Sequence, residues 1–260
     1  MIKGLFSFLI ISASFFLISC GTGQTAIRIG PVKAVLPDNT LPQDDPEPIP
    51  PKSFLILFPG TFHSEDLPVL DSSDWTGLFI KNGKAKIENI ELIYNSVHDP
   101  ILDEESEKTA IKLDSEPQDA LFLMDGLSTG DVPLIAKNLG SIFPEKDHTF
   151  EYYGRKYTLK ATAKNVGEDG DFNQLRDYQL LLTTVVNAEE RTQVLAATYQ
   201  FDDAEMSILF IGDLDRDGWP DLIVNTSPKY SYSTVTLFLS GASEGKDLVK
   251  PVASFRATGC

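Results

Sequence analysis

Beyond residue 52, short apolar runs alternate with clusters of Gly, Pro, Asn and Asp, the punctuation of a chain of strands. Residues 54–58 are continuously apolar and stop at Pro59-Gly60, which predicts a buried strand. Residues 75–80 and 87–94 predict two more, and Asn82-Gly83 between them suits a hairpin turn because both residues tolerate positive φ. Residues 120–124 predict another short strand, and the acidic stretch 99–108 an exposed loop. One window reads as helical, residues 131–140, with Asp131 as its cap and Gly140 as its stop.

After Phe143 the alternation becomes more regular. Residues 149–161 predict a hairpin turning near Gly154, with Tyr157, Leu159 and Ala161 on one face. Strands are predicted at 178–186 and 192–201, joined by 187–191, then at 208–211, 222–224, 235–239 and 252–255. The expected class is mainly β: antiparallel sheets with a minor helix, sandwich-like or, toward the C-terminus, like a single propeller blade. The length divides into an N-terminal β-rich region, 53–145, and a C-terminal one, 146–260.

Between the runs at 208–211 and 222–224 lies the chain's most specific chemistry. Asp213, Asp215, Asp217 and Asp221 place four carboxylates within nine residues, where mutual repulsion calls for a cation or open water. Read as loop positions one, three, five, seven and nine, three aspartates supply side-chain oxygens, Trp219 its backbone carbonyl and Asp221 the closing carboxylate. Gly218 takes the positive φ of the sharp turn, and Pro220 biases Trp219 toward extended geometry. An all-oxygen loop favours calcium over magnesium, which demands a tighter octahedron and keeps more water. The loop departs from an EF-hand, since its twelfth position is Val224 and its flanks are strand-like.

The stretch 212–222 resembles the calcium loop of FG-GAP and VCBS-type repeats, the integrin-type propeller motif, and Val235 to Gly241 is similar to the outer strand and terminal Gly of such a repeat. The resemblance covers residues 208–241 and implies a calcium site. It implies no propeller, because a single copy is present and a propeller needs several blades. Arg216 stands where Gly is common in the family.

The N-terminus supplies an address. Lys3 precedes an apolar stretch from Leu5 to Ile18, and Leu17-Ile18-Ser19-Cys20 resembles the lipobox of bacterial lipoproteins. That resemblance implies a signal peptide of residues 1–19, diacylglyceryl and palmitate-type acylation at Cys20, and anchoring in the cell envelope; Gly21 after the cysteine implies the outer membrane if the cell is Gram-negative. Residues 20–52, rich in proline and acids, read as a tether that holds the folded part off the bilayer. Removing the leader takes away Lys3 alone and leaves 21 basic against 38 acidic residues, a formal charge of −17. Such a chain lacks the basic patch that nucleic acid would need.

Catalytic signals are weaker. Gly126-Leu127-Ser128-Thr129-Gly130 fits the G-x-S-x-G pattern, yet only His148 follows it, and the simpler reading is a Gly-rich turn. His63 and His98 lack a second histidine at ligand spacing, Asp169 to Asn173 reads as an exposed turn, and Trp75 and Trp219 are expected to pack, with a sugar-binding surface as the alternative. Cys260 has no internal partner once Cys20 carries lipid. The expected function is therefore non-enzymatic: a lipid-anchored envelope protein with a structural Ca2+, acting as a binding or scaffolding module. The alternatives are a surface adhesin or glycan-binding module, with a polysaccharide or envelope protein as partner, and a serine hydrolase using Ser128.

Overall fold

A computed structural model describes residues 54–70, 72, 74–165 and 171–259. The leader, Cys20, the tether, Asp169-Gly170 and Cys260 lie outside the described residues. The first strands are β1 (Leu55–Leu57), β2 (Gly60–His63), β3 (Thr76–Lys81), β4 (Lys84–Asn89), β5 (Glu91–Val97), β6 (Ala110–Glu116), β7 (Phe122–Asp125) and β8 (Gly130–Val132). They form a five-stranded sheet ordered β1-β7-β3-β4-β8 and a three-stranded sheet ordered β2-β6-β5. After β9 (Leu134–Gly140) comes a meander of β10 (His148–Tyr152), β11 (Arg155–Asn165), β12 (Leu175–Val186) and β13 (Glu189–Gln200). The last sheet, ordered β17-β16-β15-β14-β9, contains β14 (Ser207–Gly212), β15 (Asp221–Asn225), β16 (Tyr232–Leu239) and β17 (Lys250–Thr258). All these ladders are antiparallel, the class the pattern predicts, and among the described residues the helix content is two short 3-10 turns, Ser64–Asp66 and Phe172–Gln174. Among the described residues no helix is long and apolar enough to cross a membrane.

The tight hairpins follow from residues that accept a left-handed backbone. Asn82 and Gly83 have φ of 52° and 75° and close β3 on β4 with Lys81 opposite Lys84. Gly154, at 71°, does the same for β10 and β11, with Tyr153 held at 44°, a conformation bulky side chains rarely adopt. The connection expected at 187–191 is shorter. Asn187 and Ala188, at 52° and 63°, form a two-residue turn that puts Val186 opposite Glu189, so β13 starts earlier than the pattern predicts.

The expected helix at 131–140 is a correction: Asp131 belongs to β8, Pro133 breaks the chain, and β9 runs along β14. A window this short has little helical stability of its own, and the open ladder of β14 satisfies its backbone more completely. Gly140, at φ +82°, sits where the β9–β14 register slips rather than at a helix end. The acidic loop after β5 is exposed over most of its length, as expected, with Asp99 and Asp103 the exceptions. Asp99 is buried, its Oδ1 accepting from the Ile101 and Leu102 amides and its Oδ2 paired with His63 Nδ1 at 2.5 Å, while Asp103 Oδ2 accepts from the amides of Asp99 and Thr109. The Ile101 amide, first among these bonds, holds the Asp99 carboxyl below its ordinary value.

The C-terminal sheet is buried on both faces, which explains why 208–211 and 222–224 read as unbroken apolar runs. Phe210, Ile223, Leu237 and Phe255 pack with Ile56, Leu78, Ile87 and Leu123 of the N-terminal sheet. Ile208, Ile211, Leu222, Val224 and Phe238 point the other way, into Tyr157, Leu159, Tyr178 and Leu182 of the meander. The loop between β14 and β15 thus joins two interior strands of a sheet buried on both faces.

Candidate metal centre

The aspartate loop begins under close constraint. A Cβ on Gly212 would lie 2.8 Å from the Pro133 carbonyl and 2.7 Å from the Phe210 ring, so glycine lets β14 pass tightly beneath both. Asp213 N then donates to the same Pro133 carbonyl at 3.1 Å. Two left-handed residues curl the loop: Gly218 at φ +88°, as the spacing requires, and Arg216 at +63°. An arginine there is strained, and its guanidinium is held in return, with Nη2 donating to the Ser128 carbonyl at 3.1 Å. Gly130 leaves the room, since a Cβ there would stand 3.1 Å from Arg216 Nη1. The G-x-S-x-G stretch is therefore a turn between β7 and β8 that docks the loop, followed by a strand and not by the helix of a nucleophile elbow.

Within the curl, backbone amides turn toward carboxylates. Asp213 Oδ1 accepts from Asp217 N at 3.0 Å and its Oδ2 from Gly218 N at 3.0 Å; Asp221 Oδ2 accepts from Leu214 N at 2.6 Å and Asp215 N at 3.2 Å. Asp213 and Asp221 are almost completely buried, at 3% and 0% exposure. Oxygens of Asp213, Asp215 and Asp221 come within 4.8 Å of one another, a set that could hold a metal ion. Asp217 stands to one side, its Oδ1 accepting from Trp219 N at 2.8 Å and both its oxygens 3.1 Å from Ser240 Oγ.

Residues distant in sequence complete the centre. Tyr152 on β10 donates its hydroxyl to Asp213 Oδ2 at 2.9 Å, and burial followed by that bond pushes the phenol up. Ser240, just past β16, gives its amide (2.7 Å) and hydroxyl (2.9 Å) to Asp221 Oδ1, and Gly241 N reaches Asp215 Oδ2 at 3.2 Å. A Cβ on Gly241 would fall 2.4 Å from that Asp215 oxygen and 3.3 Å from Asp217 Oδ2, so only glycine leaves both carboxylates in place. Arg155 of β11 stacks on the Trp219 ring with 3.8 Å to the centroid. Neither Tyr152 nor Arg155 carries a local sequence signal for this role; Ser240-Gly241 does, as the end of the repeat-like segment.

The electrostatics remain one-sided. Among the described residues no Lys or Arg forms an ion pair with any of the four loop aspartates. Burial first, and the charge of Asp215 second, push the Asp221 carboxyl up to about 7, against the opposing bonds from Ser240. Burial and then the charge of Asp217 also raise Asp215. Hydrogen bonds orient these carboxylates without neutralising them, and a hard cation among their oxygens would do so.

The chain matches no family model, no curated protein and no solved structure.

Proposed function

We propose that this chain is a lipid-anchored protein of the bacterial cell envelope, non-enzymatic, whose β-rich body is stapled by calcium and serves as a binding or scaffolding module. The observation that carries the metal reading is the convergence of Asp213, Asp215 and Asp221 at a largely buried point where, among the described residues, no Lys or Arg forms an ion pair with them. Calcium takes oxygen ligands in a flexible geometry, and Asp217 and the Trp219 carbonyl are the proposed remainder of the set. A structural role fits because the loop joins β14 to β15 while its aspartates also tie down Ser240 after β16 and Tyr152 of the meander. The address rests on the lipobox resemblance at Cys20; two or more acyl chains suffice for stable anchoring.

Thermal melting tests the metal. With a dissociation constant of ~10⁻⁴ M, typical of extracellular modules, about 10 mM calcium stabilises by ~2.7 kcal/mol. For a chain of this size that raises Tm by roughly 5–10 °C over a chelated sample. Asp215→Ala removes the difference. An identical melt with calcium and with chelator rejects the metal reading. Labelling of cells with an alkynyl palmitate analogue tests the address: label on the native chain and none on Cys20→Ala supports it, and equal labelling of both rejects it.

A further inference from the structure

Beside the aspartate loop lies a cavity of about 200 Å³. Its walls come from separate elements: Asp217 and Trp219 from the loop, Arg191 from β13, and Ser243, Asp247 and Leu248 from the connection between β16 and β17. We propose that this cavity binds one neutral hexopyranose unit, the terminal sugar of a glycan. The proposal deepens the reading of the protein as a binding module, and names its ligand class.

Size sets the first limit. Sites for drug-sized ligands occupy ~300–1,000 Å³, so this space suits a single sugar ring rather than an oligosaccharide. Chemistry sets the second. Arg191 contributes a donor-only guanidinium to the wall. The Ser243 and Asp247 side chains add a hydroxyl and an exposed carboxylate at the same rim. A wall holding a donor-only arginine, two acceptor-only aspartates and a serine matches vicinal hydroxyls, each of which donates and accepts at once. Trp219, half-buried with Arg155 stacked on its ring, and Leu248 form the apolar part of the wall, against which C–H groups of a pyranose pack. Charge sets the third. Without calcium on the loop, two carboxylates against one guanidinium, in a chain of net charge −16, disfavour uronates and phosphates.

The cavity shares Asp217 and Trp219 with the aspartate loop, so an ion that orders the loop also shapes one wall of the sugar site. Arg191, Ser243 and Asp247 do not depend on that ion.

Calorimetry on the full chain, in a detergent without a sugar headgroup, tests this with methyl glycosides of neutral hexoses alongside glucuronic and galacturonic acids. The expected result is binding of at least one neutral glycoside with a dissociation constant near ~1 mM, an ordinary affinity for so small a ligand. Arg191→Ala and Asp247→Ala each weaken it about ten-fold or more, the loss of one good hydrogen bond to a charged group. The melting response to calcium stays intact in both variants. Asp247→Ala, on an exposed loop, keeps the test valid if Arg191→Ala does not fold. Failure of every neutral glycoside to bind, preferential binding of the uronic acids, or unchanged binding in both variants overturns the proposal. Glycoside binding without a calcium effect on melting supports it while removing the metal reading.

Discussion

Asp221 concentrates the electrostatics of the loop in one side chain. It is fully buried and its carboxyl is pushed up to about 7 by burial and by the charge of Asp215. An unfolded aspartate loses its proton near ~3.9, so between there and 7 the metal-free folded chain binds more protons than the unfolded one. Stability of the metal-free protein therefore falls as pH rises through that window. Calcium must displace the retained proton, so its affinity rises over the same range. The calcium-induced rise in Tm is expected to be small at pH 5.5 and full at pH 8, with chelated samples melting lower at the higher pH; equal calcium affinity at both values would contradict the assignment of Asp221 as a ligand. The alternating aspartates and Gly218 were legible in sequence, because spacing and a required positive φ are local properties. Tyr152, Arg155 and the anchoring of Arg216 on Ser128 were not, since each contact spans dozens of residues and depends on which strands pair.

Element by element, the pattern was most informative where local chemistry and tertiary pairing agree. Asn82-Gly83 announces its hairpin because the turn itself selects both residues, and at Tyr153-Gly154 the glycine alone gives the signal. Residues 131–140 mislead because a short amphipathic window fits either period, and the vacant edge of β14 decides in favour of a strand. The turn between β12 and β13 is shorter than the pattern predicts because Ala188 gives no turn signal. It nonetheless adopts φ +63°, a conformation in which a Cβ costs roughly 1–2 kcal/mol. Ala188→Gly relieves that strain at some cost in unfolded-chain entropy, so a net stabilisation of about 0.5–1 kcal/mol is expected by urea denaturation. A decrease in stability on this substitution would show that Ala188 makes a contact worth more than the strain.

At the scale of the molecule, the composition suggests two β-rich regions split near residue 145, while the packing routes both through one sheet. β15 carries the argument in adjacent residues: Leu222 faces the meander core and Ile223 the N-terminal core, and each is fully buried. Truncating either leaves a cavity and costs about 2–5 kcal/mol. If the shared sheet couples the two cores, Leu222→Ala and Ile223→Ala each shift one common unfolding transition, seen alike by far-ultraviolet circular dichroism and by tryptophan fluorescence. Trp75 reports from the N-terminal core and Trp219 from the meander side, so the two halves contribute separately to the fluorescence. Independent regions behave differently: Ile223→Ala then splits the melt, moving the Trp75 signal while the remainder unfolds where it did before. The loop that gathers Asp213, Asp215 and Asp221 opens and closes on β14 and β15, so in the coupled case an ion bound there raises the single transition of the whole β-rich body.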